Sequence, residues 1–232
     1  MRTSNLLMLV AMLAVASPAL AQDDQETRSV EGGGITGEGW MGSIDASEAA
    51  KGLSLADSKF MAHDGMLMVT TGPAGAYWNA EHVASGNYTV SATFTEPEFM
   101  NVNDHPHPYG IVIGGNDMST DTQSYLYCAA YGTGTYIVRG FGPEAFRLSD
   151  RRPVAHDAVN KAADKNQSVS QMIAVTVSDE SVSCSINGTV VATYAKSDAV
   201  GEGKLTSTDG VYGVRFGHNT EGHVMGLTMT QN

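Results

Sequence analysis

The sequence predicts an all-β fold of two antiparallel sheets packed face to face, and three observations carry that prediction. The first is Ser168–Tyr194, where Val175, Val177, Val182, Cys184 and Ile186 recur with the period of two that buries one face of a strand. Val190, Ala192 and Tyr194 continue the pattern on a partner strand. The second is a pair of dipeptides, Asp64-Gly65 and Asn187-Gly188, each set between apolar runs. They supply the two positive φ angles of a tight hairpin turn. The third is composition: 26 glycines and only 16% charged residues suit many short strands joined by turns.

The elements follow in chain order. Residues 1–21 read as a signal peptide, with Arg2 as the positive end, Leu6–Val15 as a short apolar core and Ala19-Leu20-Ala21 as a small-x-small cleavage site. The apolar core falls short of the roughly 20 residues that span a bilayer. No cysteine stands directly after the cleavage point, which argues against a lipid anchor. The mature chain is expected to start at Gln22 and to be exported, to a periplasmic or extracellular location. Residues 22–39, acidic and then glycine-rich, read as a flexible leader. Residues 40–232 are expected to form a single domain, ordered from Trp40.

Within that domain Asp45–Asp57 is a polar connection, and Phe60–His63 and Met66–Thr70 form the Asp64-Gly65 hairpin. Ala76–Asn79 reads as a short edge strand. Tyr88–Thr95 alternates, with Val90, Ala92 and Phe94 on one face. Glu96–Pro108 is a polar loop, Tyr109–Ile113 a strand and Gly114–Gln123 a loop. Ser124–Tyr131 and Thr135–Phe141 pair around Gly132-Thr133-Gly134. Gly142–Asn166 is the longest interruption and holds the one helical candidate, Val154–Ala163. The Ser168–Tyr194 meander follows, then a loop over Lys196–Asp209 and two closing strands, Gly210–Phe216 and Val224–Thr230.

Charge narrows the partners. The whole chain carries −12, and loss of residues 1–21 removes one arginine and no acid, giving −13. Such a chain repels phosphate backbones and anionic lipid surfaces, so nucleic acid and membrane insertion are not expected. The two cysteines, Cys128 and Cys184, lie on the apolar sides of their strands. Export makes a disulfide available to them, and two small buried hydrophobes are the other reading.

The order of these signals resembles the concanavalin A-like jelly-roll superfamily, in the branch of laminin-G-like modules and 3-keto-disaccharide hydrolase-like domains. The segments that carry the resemblance are Phe60–Val69, Gly86–Phe94, Tyr109–Gly115, Tyr125–Gly140, Ile173–Tyr194 and Gly210–Thr230. It covers nearly all of Trp40–Thr230. The resemblance implies a sandwich with one concave sheet, in a superfamily that often handles glycans. It implies no particular reaction, because this fold hosts lectins, hydrolases, lyases and adhesion modules.

Candidate residues were weighed against plainer roles. Glucanases of this fold place three acids on one strand, two of them flanking the scissile bond. The nearest match here is Glu96-Pro97-Glu98, read as surface acids at a turn. His105-Pro106-His107-Pro108 puts two imidazoles on one side of an extended segment, beside Asp104, where they can share a metal or simply be exposed on a stiff loop. His218, in the turn between the last two strands, is an acid/base or sugar-hydroxyl candidate, and Asn219 a ligand contact; His223 reads as capping the last strand. Tyr125, Tyr127 and Tyr131 alternate with Leu126, Cys128 and Ala130, which would line the outside of one strand with aromatic rings. With Arg139 they are expected to form a glycan platform, with Tyr109 in a loop at its rim, since sugar CH faces stack on rings and guanidinium groups bond hydroxyls. The alternative buries the tyrosines under Gly142–Asn166. Asn116, Asp117, Asp121 and Thr122 are an oxygen-rich loop at which Ca²⁺ is possible, although the spacing fits a turn cluster better.

Three functions follow. A glycan-binding module acting through the concave sheet face is preferred. A glycoside hydrolase or lyase using His105, His107 and His218, and an adhesion module with no small ligand, are the alternatives.

Overall fold

The computed structural model describes residues 26–232, so the expected signal peptide lies outside the described residues. Pairing begins earlier than Trp40. Strands β1 (Gly34–Thr36) and β2 (Trp40–Ile44) precede a single helical turn, α1 (Ala46–Ala49), and a 3₁₀ turn at Leu55–Asp57. Ahead of β1 the chain is also tied down at Val30, whose N–H donates to the Asp57 carbonyl at 3.1 Å. The glycine-rich stretch suggests a flexible leader, but Gly34–Thr36 of it pairs with Lys59–Met61.

The hairpin β3 (Lys59–His63)–β4 (Met66–Thr70) turns on Asp64 and Gly65, at φ 49° and 75°. Then come β5 (Gly75–Ala84), β6 (Tyr88–Glu96), β7 (Tyr109–Asn116), β8 (Ser124–Tyr131) and β9 (Thr135–Gly142). The expected interruption holds two short strands, β10 (Glu144–Arg147) and β11 (Val154–Ala155). The meander is β12 (Val169–Val177), β13 (Ser181–Ile186) and β14 (Thr189–Ala195), with Asn187 and Gly188 at φ 50° and 81°. A last helical turn, α2 (Lys196–Ala199), leads to β15 (Gly210–Phe216) and β16 (Glu221–Gln231).

One sheet runs β1-β3-β4-β16-β6-β12-β13-β14, and the other β10-β9-β8-β7-β15-β5-β2 with β11 attached to β9. Only β1 and β3 pair in parallel among these. Between the sheets lie Phe60, Val90, Phe94, Ile173 and Val175 from the first, and Tyr77, Ile111, Leu126, Val214 and Phe216 from the second. Each such side chain contributes about 1.5–3 kcal/mol by leaving water. Cys128 on β8 and Cys184 on β13 are joined by a disulfide through this core, with Cα atoms 6.0 Å apart. Among the described residues no helix is long and apolar enough to cross a membrane.

Four expectations need correction. Ala76–Asn79 is no edge: it belongs to β5, which sits between β15 and β2. Val154–Ala163 forms no helix. Val154 and Ala155 pair with Tyr136 and Thr135, and Asn160 bonds the Gln171 side chain, so sheet partners override a weak local preference. Val190 does not continue the buried pattern but is 57% exposed on edge strand β14, after a bulge between Cys184 and Ser185. Glu96 is not a surface acid: it is buried at the end of β6, and burial pushes its carboxyl up to about 7 while the Met100 N–H pulls the other way.

Candidate functional site

The second sheet has apolar residues on both faces. Its strands alternate, so Leu126, Cys128 and Ala130 of β8 enter the main core while Tyr125, Tyr127, Ala129 and Tyr131 pack outside with Ala76, Val112 and Ile137. Cross-strand register builds the outer face in rows. Ser43, Ala76, Arg215, Gly110, Ala129 and Ile137 form one row, and Val112, Tyr127, Arg139 and Arg147 form the next.

Arg215 is the pivot of this face. Its guanidinium is bidentate to Asp45, at 2.8 and 2.5 Å, and donates to the Tyr125 hydroxyl at 2.9 Å. It also lies 4.9 Å from the Tyr127 ring centre and 5.1 Å from that of Phe141. Burial by itself would lower its pKa; Asp45 outweighs this and raises it well above the ordinary value. Arg215 is therefore a permanent, immobilised cation.

Beside it opens a cleft of about 300 Å³ whose lining includes Tyr127, Tyr131, Arg139, Phe146, Arg147, Arg215, His107 and His218. Three of the chain's seven arginines meet here. Asp45 is the one carboxylate among the lining residues, and it is already paired with Arg215. The wall is thus cationic in a protein of net charge −12. Arg139 donates through Nη2 to the Arg151 carbonyl at 2.8 Å, while its buried Nε has no hydrogen-bond partner.

At one end of the cleft two loops meet. The prolines bracketing His107 stiffen the first, and the Gly217 N–H donates to the Pro108 carbonyl at 2.7 Å to join it to the second. A Cβ at Gly217 would lie 2.9 Å from both the His107 Cβ and the Pro108 Cδ, so this approach requires glycine. The loops bring together His105, His107 and His218, with one ring nitrogen of each within 4.8 Å of the others. The His107 and His218 ring centres are 3.9 Å apart. Burial, and then His218 and His105, hold His107 down to about 3, so it is a neutral imidazole. Asp104 bonds His105 Nδ1 at 2.5 Å, and that contact holds its carboxyl below the usual carboxylate range.

Not every expected residue serves the cleft. Tyr127, Tyr131 and Arg139 line it, but the two rings keep only 6% and 9% exposure and so wall a cleft instead of forming an open platform. Tyr125 lies behind them, its ring against Phe141 and its hydroxyl taken by Arg215. Tyr109 points into the main core against Phe94 and Phe216, because Gly110 and not Tyr109 falls on the outer parity of β7. Asn219 is buried: its side chain accepts from the Arg28 N–H and donates to the Glu26 carbonyl, and it holds the turn at φ 51°. His223 stands apart, paired with Met68 on the other sheet. In the loop proposed for Ca²⁺, Asn116 Nδ2 donates to the Gly114 and Asp209 carbonyls and Thr120 to the Asp117 carbonyl, as a turn cluster does.

Sequence reasoning passed over Arg215, Asp45, Phe146 and Arg147. A cation between Val214 and Phe216 in an apolar strand was the available signal for Arg215. Asp45 had none, since 170 residues separate it from its partner.

No family model matches the chain, and no curated protein matches it in sequence. Solved structures do match in fold. The carbohydrate binding module CBM66 from Bacillus subtilis aligns with a TM-score of 0.53 at 7% identity, over 85% of this chain and 97% of that one. A Bacillus subtilis protein of unknown function with a galectin-like fold aligns with a TM-score of 0.53 at 14% identity, over 83% and 89%. Two sheets in this order, with these neighbours, make the fold a concanavalin A-like jelly-roll sandwich.

Proposed function

We propose that this protein is an exported carbohydrate-binding sandwich whose ligand, an acidic saccharide, enters the cleft on the outer face of the second sheet. The observation that carries the reading is the lining: aromatic rings at Tyr127, Tyr131 and Phe146 beside Arg139 and Arg147, with the only carboxylate neutralised. Rings take the CH faces of a sugar, and guanidinium groups take its carboxylate or sulfate in paired hydrogen bonds. The unpartnered Nε of Arg139 is the donor such an oxygen would satisfy. The resemblance to a carbohydrate binding module in fold supports the class of ligand and says nothing of its identity.

The test is native mass spectrometry and calorimetry of the chain from Gln22 onward against uronate, sulfated and neutral oligosaccharides. Acidic members are expected to bind, and Arg139→Gln to weaken them at least tenfold with the melting temperature unchanged. Equal binding of neutral sugars would remove the acidic preference. Silence across the panel would favour an adhesion module. New reducing ends would favour the hydrolase reading, for which the imidazoles bordering the cleft are the supporting feature.

A further inference from the structure

We propose that His105, His107 and His218 form a binding site for a first-row divalent transition cation of the Zn²⁺ class at the end of the cleft. Three ring nitrogens lie within 4.8 Å of one another. A tetrahedral ion bound at about 2.0–2.1 Å sets its ligand nitrogens roughly 3.3 Å apart, so the three rings would draw slightly together on binding. Imidazole donors suit Zn²⁺, Ni²⁺, Cu²⁺ and Co²⁺, whereas Ca²⁺ and Mg²⁺ prefer oxygen.

Orientation is the second, independent observation. His218 Nδ1 lies 3.3 Å from the Thr27 hydroxyl, and that hydroxyl donates its one hydrogen to Glu48 at 2.9 Å. The Thr27 oxygen is therefore an acceptor toward the ring, so Nδ1 carries the proton and Nε2 keeps the lone pair. Asp104 acts in the same sense on His105 Nδ1. Partners of this kind, a carboxylate behind His105 and a hydroxyl held by a carboxylate behind His218, fix the tautomer of metal-binding imidazoles. The carboxylate Glu48 is itself buried, and it reaches His218 through a residue 191 positions earlier in the chain. Three protein ligands leave a position for water or for an oxygen of a molecule in the cleft, because His107 and His218 line both.

The site stands without the saccharide reading, and the experiment separates them. Tag-free chain from Gln22 onward is titrated with ZnCl₂ by calorimetry and with CoCl₂ by visible absorption. One equivalent of Zn²⁺ is expected to bind and raise the melting temperature, and Co²⁺ to develop the d–d bands of a tetrahedral nitrogen site. His105→Ala, at a partly exposed position, is expected to lower Zn²⁺ affinity at least 100-fold while folding normally. Thr27→Val is expected to lower it about tenfold and leave the stoichiometry at one. Arg139→Gln, which alters only the sugar wall, should leave Zn²⁺ binding unchanged. Wild type that takes up neither metal, or His105→Ala that binds Zn²⁺ as tightly as wild type, would overturn the site. Thr27→Val binding at full affinity would overturn the orienting role of Thr27 and Glu48.

Discussion

At the scale of single residues, buried ionisable groups divide by whether a partner was built for them. Arg215 has one, since Asp45 and three aromatic rings surround its guanidinium. Glu96 has less: Oε1 accepts a long bond from the Met100 N–H at 3.3 Å, and its other oxygen is buried without a partner. The raised pKa of Glu96 sets a sign. Between its ordinary value of 4.5 and about 7, the unfolded chain loses this proton while the folded chain keeps it. Stability from this group is therefore complete below 4.5 and falls as pH climbs toward 7, by on the order of 3 kcal/mol. Between pH 5 and pH 8 the urea midpoint of wild type should fall relative to that of Glu96→Gln, a comparison in which the opposite contribution of His107, held neutral when folded, cancels. An unchanged pH slope in the variant would mean Glu96 is solvated. None of this was legible beforehand. Glu96-Pro97-Glu98 has the composition of a surface turn, and only the pairing of Glu96 with Val169 carries the first acid inside.

At the scale of elements, the hairpins were the most legible part. Asp64-Gly65 and Asn187-Gly188 occupy the positive φ angles their side chains permit, and period-two alternation identified the inward residues of β6, β12 and β13. Local pattern failed where a distant partner decides the outcome. Val154–Ala163 is drawn into sheet pairing, and Gly34–Thr36 pairs with Lys59–Met61 despite its glycines. The tyrosine parity on β8 was read correctly, yet the cover over Tyr125 comes from Phe141 and Arg215, on other strands. The meeting of the histidine loops is likewise tertiary and depends on Gly217. Gly217→Ala should push them apart and cost about 1–3 kcal/mol of stability in thermal or urea unfolding. Gly65→Ala has open space at its Cβ and should show only the milder strain of its φ of 75°. Equal effects would mean the 2.9 Å approach at Gly217 carries no weight.

At the scale of the molecule, the disulfide and the two-sided second sheet set the architecture. The Cys128–Cys184 link closes 56 residues and joins the sheet bearing the cleft to the meander. The chain-entropy argument makes it worth about 4 kcal/mol. Cys184→Ala should lose that much in urea unfolding with the fold retained, and a reductant should lower the wild-type melting temperature. A variant as stable as wild type would show that the cross-link adds nothing net. The apolar positions of both cysteines were visible in the sequence, but their facing one another across the core was not. Nor was the site visible as a whole, because its residues come from positions as far apart as Asp45 and His218.

The segment from Glu26 to Val30 carries one more consequence. It lies against the turn at His218 and Asn219, bonded through Thr27 and Arg28, so a segment ahead of the first strand is tied to the turn before the last one. A protease that removes the chain through Thr27 would take away the hydroxyl behind His218 and spare every strand, since the first begins at Gly34. On the proposed cation site, a molecule shortened in this way would keep its sandwich and hold the ion less tightly.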